Sequence, residues 1–478
     1  MLMTTLPEYR LRPGLVREWT LDGEPFREAA RSVRGTPLSY NQEWHLKFVS
    51  KLVERDVRTP PWLGFGFEIP GLLDVEAFRA TLRAWVERHE TLRSGFRVVD
   101  AKAERFTVDH DAVVVRDVVL GEFTSTEEIS ACLQGRIDGA TDALNWPSYV
   151  VETVEHTDST TVVVGMDHAH TDGFSVMISV EELQDLYAAI SAGRPAPHRR
   201  VGSYVDYSVA ERDAAGQIDA DDPAVLRWAR LVEDGGGRFP GFPLDLGVTE
   251  DVFLPHIRMD MTLLDGPEAE AVEEVCHAAD GGFVAGLLAA FAISAYQLTG
   301  EPLYRTVMPV HTRFRPEWLH AMGWYIGIGA VEVELGGAAS FRDVVPRAHR
   351  SARRAVRLGR VPFTRAMELL GMAADVERSM PEVCPFVSFS DMRVVPGEPR
   401  WTEWNARTLF RMTRGNKANI WVNRTGEGVQ LMARYPDAET ARAGIACFTD
   451  HVRDVLHNVT KTGDYVFDIR PNTTGVTV

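Results

Sequence analysis

The sequence predicts a mixed α/β protein built as two lobes, and three observations carry that expectation. At 478 residues the chain exceeds what one ordinary hydrophobic core organises. Helical-period segments and β-branched runs are interleaved along its length, without the regular strand–helix alternation of a parallel sheet. Between residues 209 and 245 the composition turns to acids, glycine and proline, with Asp234-Gly235-Gly236-Gly237 inside the stretch. Such a shift marks a crossing between lobes. The lobes are therefore placed at 1–208 and 209–478.

In chain order, the first 35 residues read as an irregular or short-stranded lead-in. After Pro37, Leu38-Ser39-Tyr40-Asn41-Gln42-Glu43-Trp44 has a polar start followed by apolar residues at helical spacing, so a helix opens there. A second helix is expected over 74–89, where Phe78, Leu82 and Trp85 fall on one face. Alternating strands are expected over 96–99, 113–119, 149–154 and 160–165, then an amphipathic helix over 174–190. The second half repeats the mixture, with helices over 269–279 and 283–298 and β-rich runs over 329–335, 387–390 and 419–423. No internal repeat, heptad array or low-complexity tract appears.

Composition narrows the functional class. Hydrophobic residues at 45% and charged residues at 25% are the balance of a globular domain. No apolar run approaches the roughly 18–20 residues that span a bilayer, and Met1 to Glu18 lacks the apolar core of a signal peptide. Cysteines 132, 276, 384 and 447 are scattered without a C-x-x-C pair, which argues against structural zinc or a disulfide framework and for a reducing cytoplasm. The net charge of −17 disfavours nucleic acid as a partner, and a monomer is expected.

The most informative stretch is Met166-Asp167-His168-Ala169-His170-Thr171-Asp172-Gly173. It lies between the β-branched run from Thr160 to Val164 and the helix over 174–190, hence on a strand-to-helix turn. His168 is the candidate general base, since a neutral imidazole can take the proton of an attacking hydroxyl or amine. Asp172 is read as shaping the turn, by accepting backbone N–H groups and pairing with an arginine. Gly173 is expected to allow a close backbone approach or a positive φ. Asp167 either orients His168 or caps the turn. Tyr187 lies about 22 Å from Asp172 along a continuous helix at ~1.5 Å per residue, so packing or a polar tether suits it better than chemistry. His168, His170 and Asp172 also match the start of an H-x-H-x-D metal-hydrolase set, but Gly173 stands where that set has another histidine, and no metal is expected. His89 and Arg93 close a helix, where cations favour the C-terminal dipole, and are read as structural.

The H-x-x-x-D-G pattern, with Asp167 before the histidine, resembles the H-H-x-x-x-D-G motif of condensation and acyltransferase enzymes. Six further segments are similar to that family's motifs in order. They are Leu38 to Glu43, Arg88 to Phe96 (R-H-E-T-L-R-S-G-F), Tyr204-Val205-Asp206-Tyr207, and Arg313 to Glu317 with Gly323 to Gly327. Val361 to Arg365 (V-P-F-T-R) and Ser388 to Arg393 (S-F-S-D-M-R) complete the set. Asp167 in place of the first histidine, and Tyr187 after a 14-residue gap from Asp172, resemble the stand-alone acyltransferases of the mycobacterial polyketide-associated type. Free-standing condensation enzymes of natural-product pathways resemble it next.

The resemblance implies a chloramphenicol acetyltransferase-like, two-lobed fold with the active site and a tunnel between lobes. It implies an acyl thioester donor, on a phosphopantetheine carrier or coenzyme A, and a hydroxyl or amine of a lipid, glycolipid or natural product as acceptor. No cofactor is implied. His168 would be the catalytic base, Arg313 of the other lobe the partner of Asp172 (Arg393 the second choice), and Ser388 an oxyanion contact. The remaining length holds no adenylation, thiolation or thioesterase module, so the donor, on an acyl carrier protein or domain, would be met in trans. A non-catalytic recruiting domain is the rival from another class, and the intact His168 and Asp172 argue against it.

One charge pattern stands outside these motifs. Arg347, Arg350, Arg353, Arg354, Arg357 and Arg360 include no acid among them, in a chain of net charge −17. As a helix, this segment places Arg347, Arg350, Arg354 and Arg357 along one side, with Ala352 and Val356 inward. Arg350 and Arg354 are candidates for docking an acidic carrier protein, against the alternative of an ordinary solvated face.

Overall fold

The computed structural model describes residues 2–32, 35–54, 61–100, 102–250, 252–378 and 383–468. The chain begins with β1 (Leu2–Thr4), β2 (Gly14–Leu21), α1 (Gly23–Ser32), α2 (Tyr40–Glu54), β3 (Trp62–Pro70) and α3 (Val75–Arg88). It continues with β4 (Ser94–Val99), β5 (Lys102–Thr107), β6 (Val115–Phe123), α4 (Thr126–Ala140), β7 (Tyr149–Glu155), β8 (Ser159–Asp167), α5 (Gly173–Ser191) and α6 (Tyr204–Gly216). Then come α7 (Pro223–Asp234), β9 (Leu254–Asp265), α8 (Gly266–Ala278), α9 (Phe283–Thr299), β10 (Leu303–His311), β11 (Ile326–Glu334) and α10 (Phe341–Leu358). The last elements are α11 (Phe363–Leu369), α12 (Ala373–Arg378), β12 (Val387–Asp391), β13 (Arg407–Phe410), β14 (Arg414–Gly415), β15 (Asn419–Thr425), β16 (Gly428–Pro436) and α13 (Glu439–Thr462).

These elements form two compact units. The first comprises Met1–Gln217, Arg313–Tyr325 and Val394–Thr413; the second comprises Ile218–Thr312, Ile326–Arg393 and Arg414–Val478. The chain therefore leaves the first unit after Gln217 and returns to it twice, which a single cut at 208/209 does not describe. One consequence is a correction: Arg313, expected from the other lobe, belongs to the same unit as Asp172.

The first unit is organised by a seven-stranded sheet in the order β1-β13-β3-β8-β7-β2-β6. Only β1 and β13 run parallel; the other neighbours are antiparallel. At its centre β8 is buried along its whole length, as expected of a β-branched strand covered on both faces. On one face Val150, Val154 and Val163 pack with Ile129, Leu133 and Ile137 of α4. On another, edge-to-face pairs join Trp19 to Phe78 and Phe65 to Trp85 of α3.

The lead-in expected over the first 35 residues is a correction, because β2 is an interior strand between β7 and β6. Its charges obscured it. Arg17 donates to Asp117 at 2.7 Å and to Glu155 at 2.9 Å, and Glu18 accepts from Arg136 at 2.5 Å. These partners stand on distant segments, so the charges read as exposed in sequence and are satisfied only in the fold.

The second unit holds a five-stranded sheet, β12-β15-β16-β9-β14, and the β10–β11 pair. Its core includes α9, apolar on nearly every side, with Phe341, Val344, Val345, Ala348 and Ala355 of α10. The inward stripe of α10 runs through Ala348, Ser351, Ala355 and Leu358. Val356, expected inward, is 40% exposed, because the true stripe is rotated by one residue from the expected one. No single helix among the described residues is long and apolar enough to cross a membrane; α8 and α9 meet that test only as a pair bent by 91°.

One buried acid in the first unit is poorly accommodated. Glu152 on β7 is fully buried, stands opposite Glu18 in the sheet register, and neither carboxyl oxygen has a hydrogen-bond partner among the described residues. Burial, then the Glu18 charge, push its carboxyl well above the usual range. A raised pKa means the folded state keeps a proton that the unfolded chain gives up, so this group's contribution to stability is lost as pH rises above the unfolded value of ~4.5. Glu152→Gln is therefore expected to be more stable than the parent at pH 8 and nearly equal to it at pH 4. The gap should widen by up to ~1.4 kcal/mol per pH unit, measured by urea unfolding at several pH values. A pH-independent difference would show that Glu152 is already ionised in the fold.

Candidate active site

Strand β8 ends at Asp167, a single 3-10 turn covers His168–His170, and Asp172 caps α5. The Asp172 carboxylate accepts from Ser175 N–H at 2.7 Å, the usual N-cap contact. Both acids of the motif are buried, and each is committed to a partner. Asp167 accepts from Ala169 N–H at 2.8 Å, so it caps the turn. It also pairs with His45 Nε2 of α2 at 2.9 Å. Burial opposes its charge, but His45 and the Ala169 N–H outweigh this and hold the carboxyl below its ordinary value.

Asp172 meets Arg313 in a bidentate pair, with Nη1 to Oδ2 at 2.8 Å and Nη2 to Oδ1 at 3.0 Å. Arg313 Nη2 also donates to Ser175 Oγ at 2.7 Å, and Tyr325 N–H donates to Asp172 Oδ2 at 3.0 Å. The guanidinium lies over the Tyr325 ring, 4.4 Å from its centroid. Against the cost of burial, Arg313 and these N–H groups keep the Asp172 carboxyl below its ordinary value. Its ionised form is favoured and its oxygens are fully committed, which suits an acceptor rather than a proton carrier.

His168 is the exception in this polar cluster. Its Nδ1 is buried and has no hydrogen-bond partner, while the residue retains partial exposure between buried neighbours. Its ring lies tilted against Trp324, with centroids 3.9 Å apart and planes inclined by 35°. Burial, reinforced by the nearby His45, pushes its pKa down to about 4. The imidazole is neutral at pH 7 and free to accept a proton. His170 differs: it is buried, Nδ1 meets Thr91 Oγ1 at 3.2 Å, Nε2 meets Ser148 Oγ at 3.0 Å, and the ring stacks on Phe96. Both of its nitrogens are engaged in support of the turn.

The remaining candidates sort cleanly. Gly173 is a correction: its φ is not positive, and a Cβ there would meet nothing within 4 Å. It leaves open space at the start of α5, rather than permitting a strained or crowded turn. The Tyr187 hydroxyl accepts from Asp74 N–H at 2.9 Å and so tethers α5 to α3. His89 meets Glu182 at 2.8 Å, and its Nδ1 accepts from Met322 N–H at 3.4 Å. Arg93 donates to Val108 O at 2.5 Å. Ser388 lies in the second unit on β12, in register with Trp421 of β15. Arg393, also there, pairs with Asp391 at 2.6 Å and is not the partner of Asp172. On α10, Arg350 and Arg354 are exposed.

Two residues central to this geometry were missed from sequence. His45 could have been found by its spacing: Gln42 and His45 are polar positions three apart on the α2 face that meets the turn, where Gln42 donates to Ala169 O at 2.9 Å. Trp324 falls inside the Gly323–Gly327 segment that the resemblance singles out, but nothing local connects it to His168.

The sequence profile of the Condensation domain matches residues 63–466. A 2'-acyl-2-O-sulfo-trehalose (hydroxy)phthioceranyltransferase, PapA1, of Mycobacterium bovis is 27% identical, over 96% of this chain and 89% of its own. The acyltransferase PapA3 of Mycobacterium tuberculosis is 26% identical, over 96% and 97%. Among solved structures, the PapA2 acyl transferase superposes with a TM-score of 0.87 at 24% identity, covering 96% of this chain and all of that one. The first condensation domain of the calcium-dependent antibiotic synthetase gives 0.63 at 17% identity, over 89% and 96%.

Removing either member of the Asp172–Arg313 pair leaves an uncompensated buried charge, which typically costs ~3–5 kcal/mol. Asp172→Ala and Arg313→Ala are each expected to lower the melting temperature. The double variant should lose less stability than the sum of the two. Strictly additive losses in a thermal-denaturation cycle would show that the two groups do not act as a pair.

Proposed function

The chain belongs to the condensation-domain family, and on that premise we propose that it transfers an acyl group from a thioester to a hydroxyl of a glycolipid precursor, with His168 as general base. The observation that carries the reading is the contrast within the motif. Asp167, His170 and Asp172 are all occupied by structural partners, whereas His168 alone is neutral, partly exposed and without a partner at Nδ1. A glycolipid acceptor is supported by relatives named for trehalose derivatives.

In this reading His168 takes the hydroxyl proton as the oxygen attacks the thioester carbonyl. The carbonyl π pair moves onto oxygen to form a tetrahedral oxyanion. Collapse restores the carbonyl, breaks the C–S bond and releases a thiolate, which recovers the proton from the imidazolium. The metal-hydrolase alternative is disfavoured, since it would have to break the bonds that engage both nitrogens of His170 and both oxygens of Asp172. A purely recruiting domain does not account for a neutral imidazole left unengaged within this motif.

The donor is proposed to arrive on an acidic carrier protein that docks on α10. Arg350, Arg353, Arg354 and Arg357 are exposed and make no ion pair among the described residues. Arg347 is different, being spent on the Glu334 and Gly336 carbonyls at 2.9 and 2.8 Å. Arg227 of α7 is itself paired with Glu332, and burial, then the charges of Arg354 and Arg230, push its guanidinium down, so it registers the positive charge of the exposed four without adding to it. Uncompensated like charges of this kind suit a negative partner.

His168→Ala is expected to fold and to lose roughly 10²–10⁴-fold in turnover, while His170→Ala loses chiefly stability. Because the base is neutral down to about pH 4, the acid limb of kcat/KM should lie near pH 4 rather than at the ordinary histidine value. Steady-state assays with an acyl thioester and a sugar alcohol check both, and undiminished turnover by His168→Ala would end the general-base reading. Arg350→Glu with Arg354→Glu should weaken use of a carrier-bound donor and flatten its salt dependence, with little effect on a small neutral thioester. Equal loss with both donors, or none with either, would return α10 to the class of ordinary solvated faces.

A further inference from the structure

We infer that Trp324 is the positioning residue of this site: its indole face, rather than a carboxylate, fixes the His168 imidazole. This rests on the reading of His168 as the base. An imidazole used as a base is ordinarily oriented by a hydrogen bond to its second nitrogen. Here Nδ1 is buried with no other residue bonded to it, the one hydrogen-bonding influence on the ring being His168's own backbone, and both neighbouring carboxylates are committed, Asp167 to His45 and Asp172 to Arg313. What lies against the ring instead is Trp324, with centroids 3.9 Å apart and planes 35° from parallel. The His45 ring meets the same indole edge-on at 5.7 Å. Three rings thus close on one another, and a ring held by its face cannot tumble without losing that contact.

Trp324 is itself rigidly placed, as a positioning group must be. Its carbonyl accepts from Tyr204 Oη at 3.0 Å and from Asn41 Nδ2 at 3.3 Å. The preceding Gly323 donates its N–H to Ser175 Oγ at 3.2 Å and accepts from that hydroxyl at 3.0 Å. The following Tyr325 donates its N–H to Asp172. Gly323 has φ of 155°, and a Cβ there would overlap the Tyr204 ring, so only glycine brings the chain this close. The same carboxylate that caps α5 therefore also anchors the peptide that carries the indole over His168. The groups whose charge reaches His168 are His45 from α2 and Asp167 and Asp172 from the turn. Trp324 adds none, and acts by geometry and by keeping water from the ring.

The test compares Trp324→Ala, Trp324→Leu and Trp324→Phe. Each is read by the pH profile of kcat/KM and by direct nitrogen-15 NMR titration of His168, with Gly323 left intact. Loss of the planar face should lower turnover about 10²-fold in the Ala and Leu variants, the scale of a small misplacement of a reacting group. In Trp324→Ala, His168 should titrate more than about one unit higher, moving from about 4 toward its ordinary 6.5 as water reaches the ring. Trp324→Phe should restore turnover to within several-fold. A folded Trp324→Ala with turnover within about three-fold of the parent and an unmoved His168 titration would overturn the proposal. If Trp324→Ala does not fold, parent-like turnover in Trp324→Leu overturns it equally. The NMR titration needs no turnover, so an active His168→Ala would defeat the general-base reading while the titration still decides whether Trp324 holds the ring.

Discussion

Asp172 and Arg313 stand 141 positions apart in sequence, and the arrangement of the candidate site depends on their meeting. A buried ion pair is weak evidence of stability, because desolvating two charges costs as much as their attraction returns unless the remaining lone pairs are filled. Here they are filled: the carboxylate takes two bonds from Arg313 and the N–H groups of Ser175 and Tyr325. An apolar pair of similar volume could match its energy. It could not specify which residue starts α5, or bring Gly323, Trp324 and Tyr325 to this end of β8. The second-half segment Arg313–Tyr325 is held in the first unit by this acceptor and the Ser175 hydroxyl beside it, together with bonds to His89, Asn41 and Tyr204.

A second pair, Asp167 with His45, completes the isolation of His168. In a Ser-His-Asp arrangement, a carboxylate orients the histidine and stabilises its charged form. Both carboxylates flanking His168 are turned to other tasks, and the imidazole lies against an indole instead. The result is an imidazole that rests neutral; in the proposed role as base, its protonated form stays disfavoured until negative charge develops on the reacting atoms.

Much of this was legible in the sequence, wherever a local rule coincides with the tertiary outcome. Strand β8, its turn and α5 follow from a β-branched run, a polar turn and a helical period, and all three are neighbours in the chain. Asp172 at a helix start is a cap by local chemistry, and Arg313 as its partner came from the resemblance rather than from any spacing. What was not legible depended on distant partners. The β2 strand is masked by Arg17 and Glu18, whose counter-charges come from Asp117, Glu155 and Arg136. Gly173 was read by the usual reason for a glycine at a turn, yet its backbone is ordinary and the open space before it is the observed feature. Val356 was misplaced because six closely spaced arginines leave few apolar markers to set the phase of α10.

The low proton affinity of His168 bears on how such a site works. In the role proposed for it, an imidazole with its pKa held at about 4 cannot strip an acceptor hydroxyl to a free alkoxide, since the proton would return at once. Its use lies later on the reaction path, when the attacking oxygen has begun to bond to carbon and become positive, and its proton has become far more acidic. Transfer then needs little basicity but demands that the nitrogen already be in line with that proton. Precision of placement substitutes for strength of base. That is why a rigid surround of a buried ion pair, a histidine–carboxylate contact, a glycine that admits close approach and an indole laid against the ring is consistent with a histidine that no carboxylate assists.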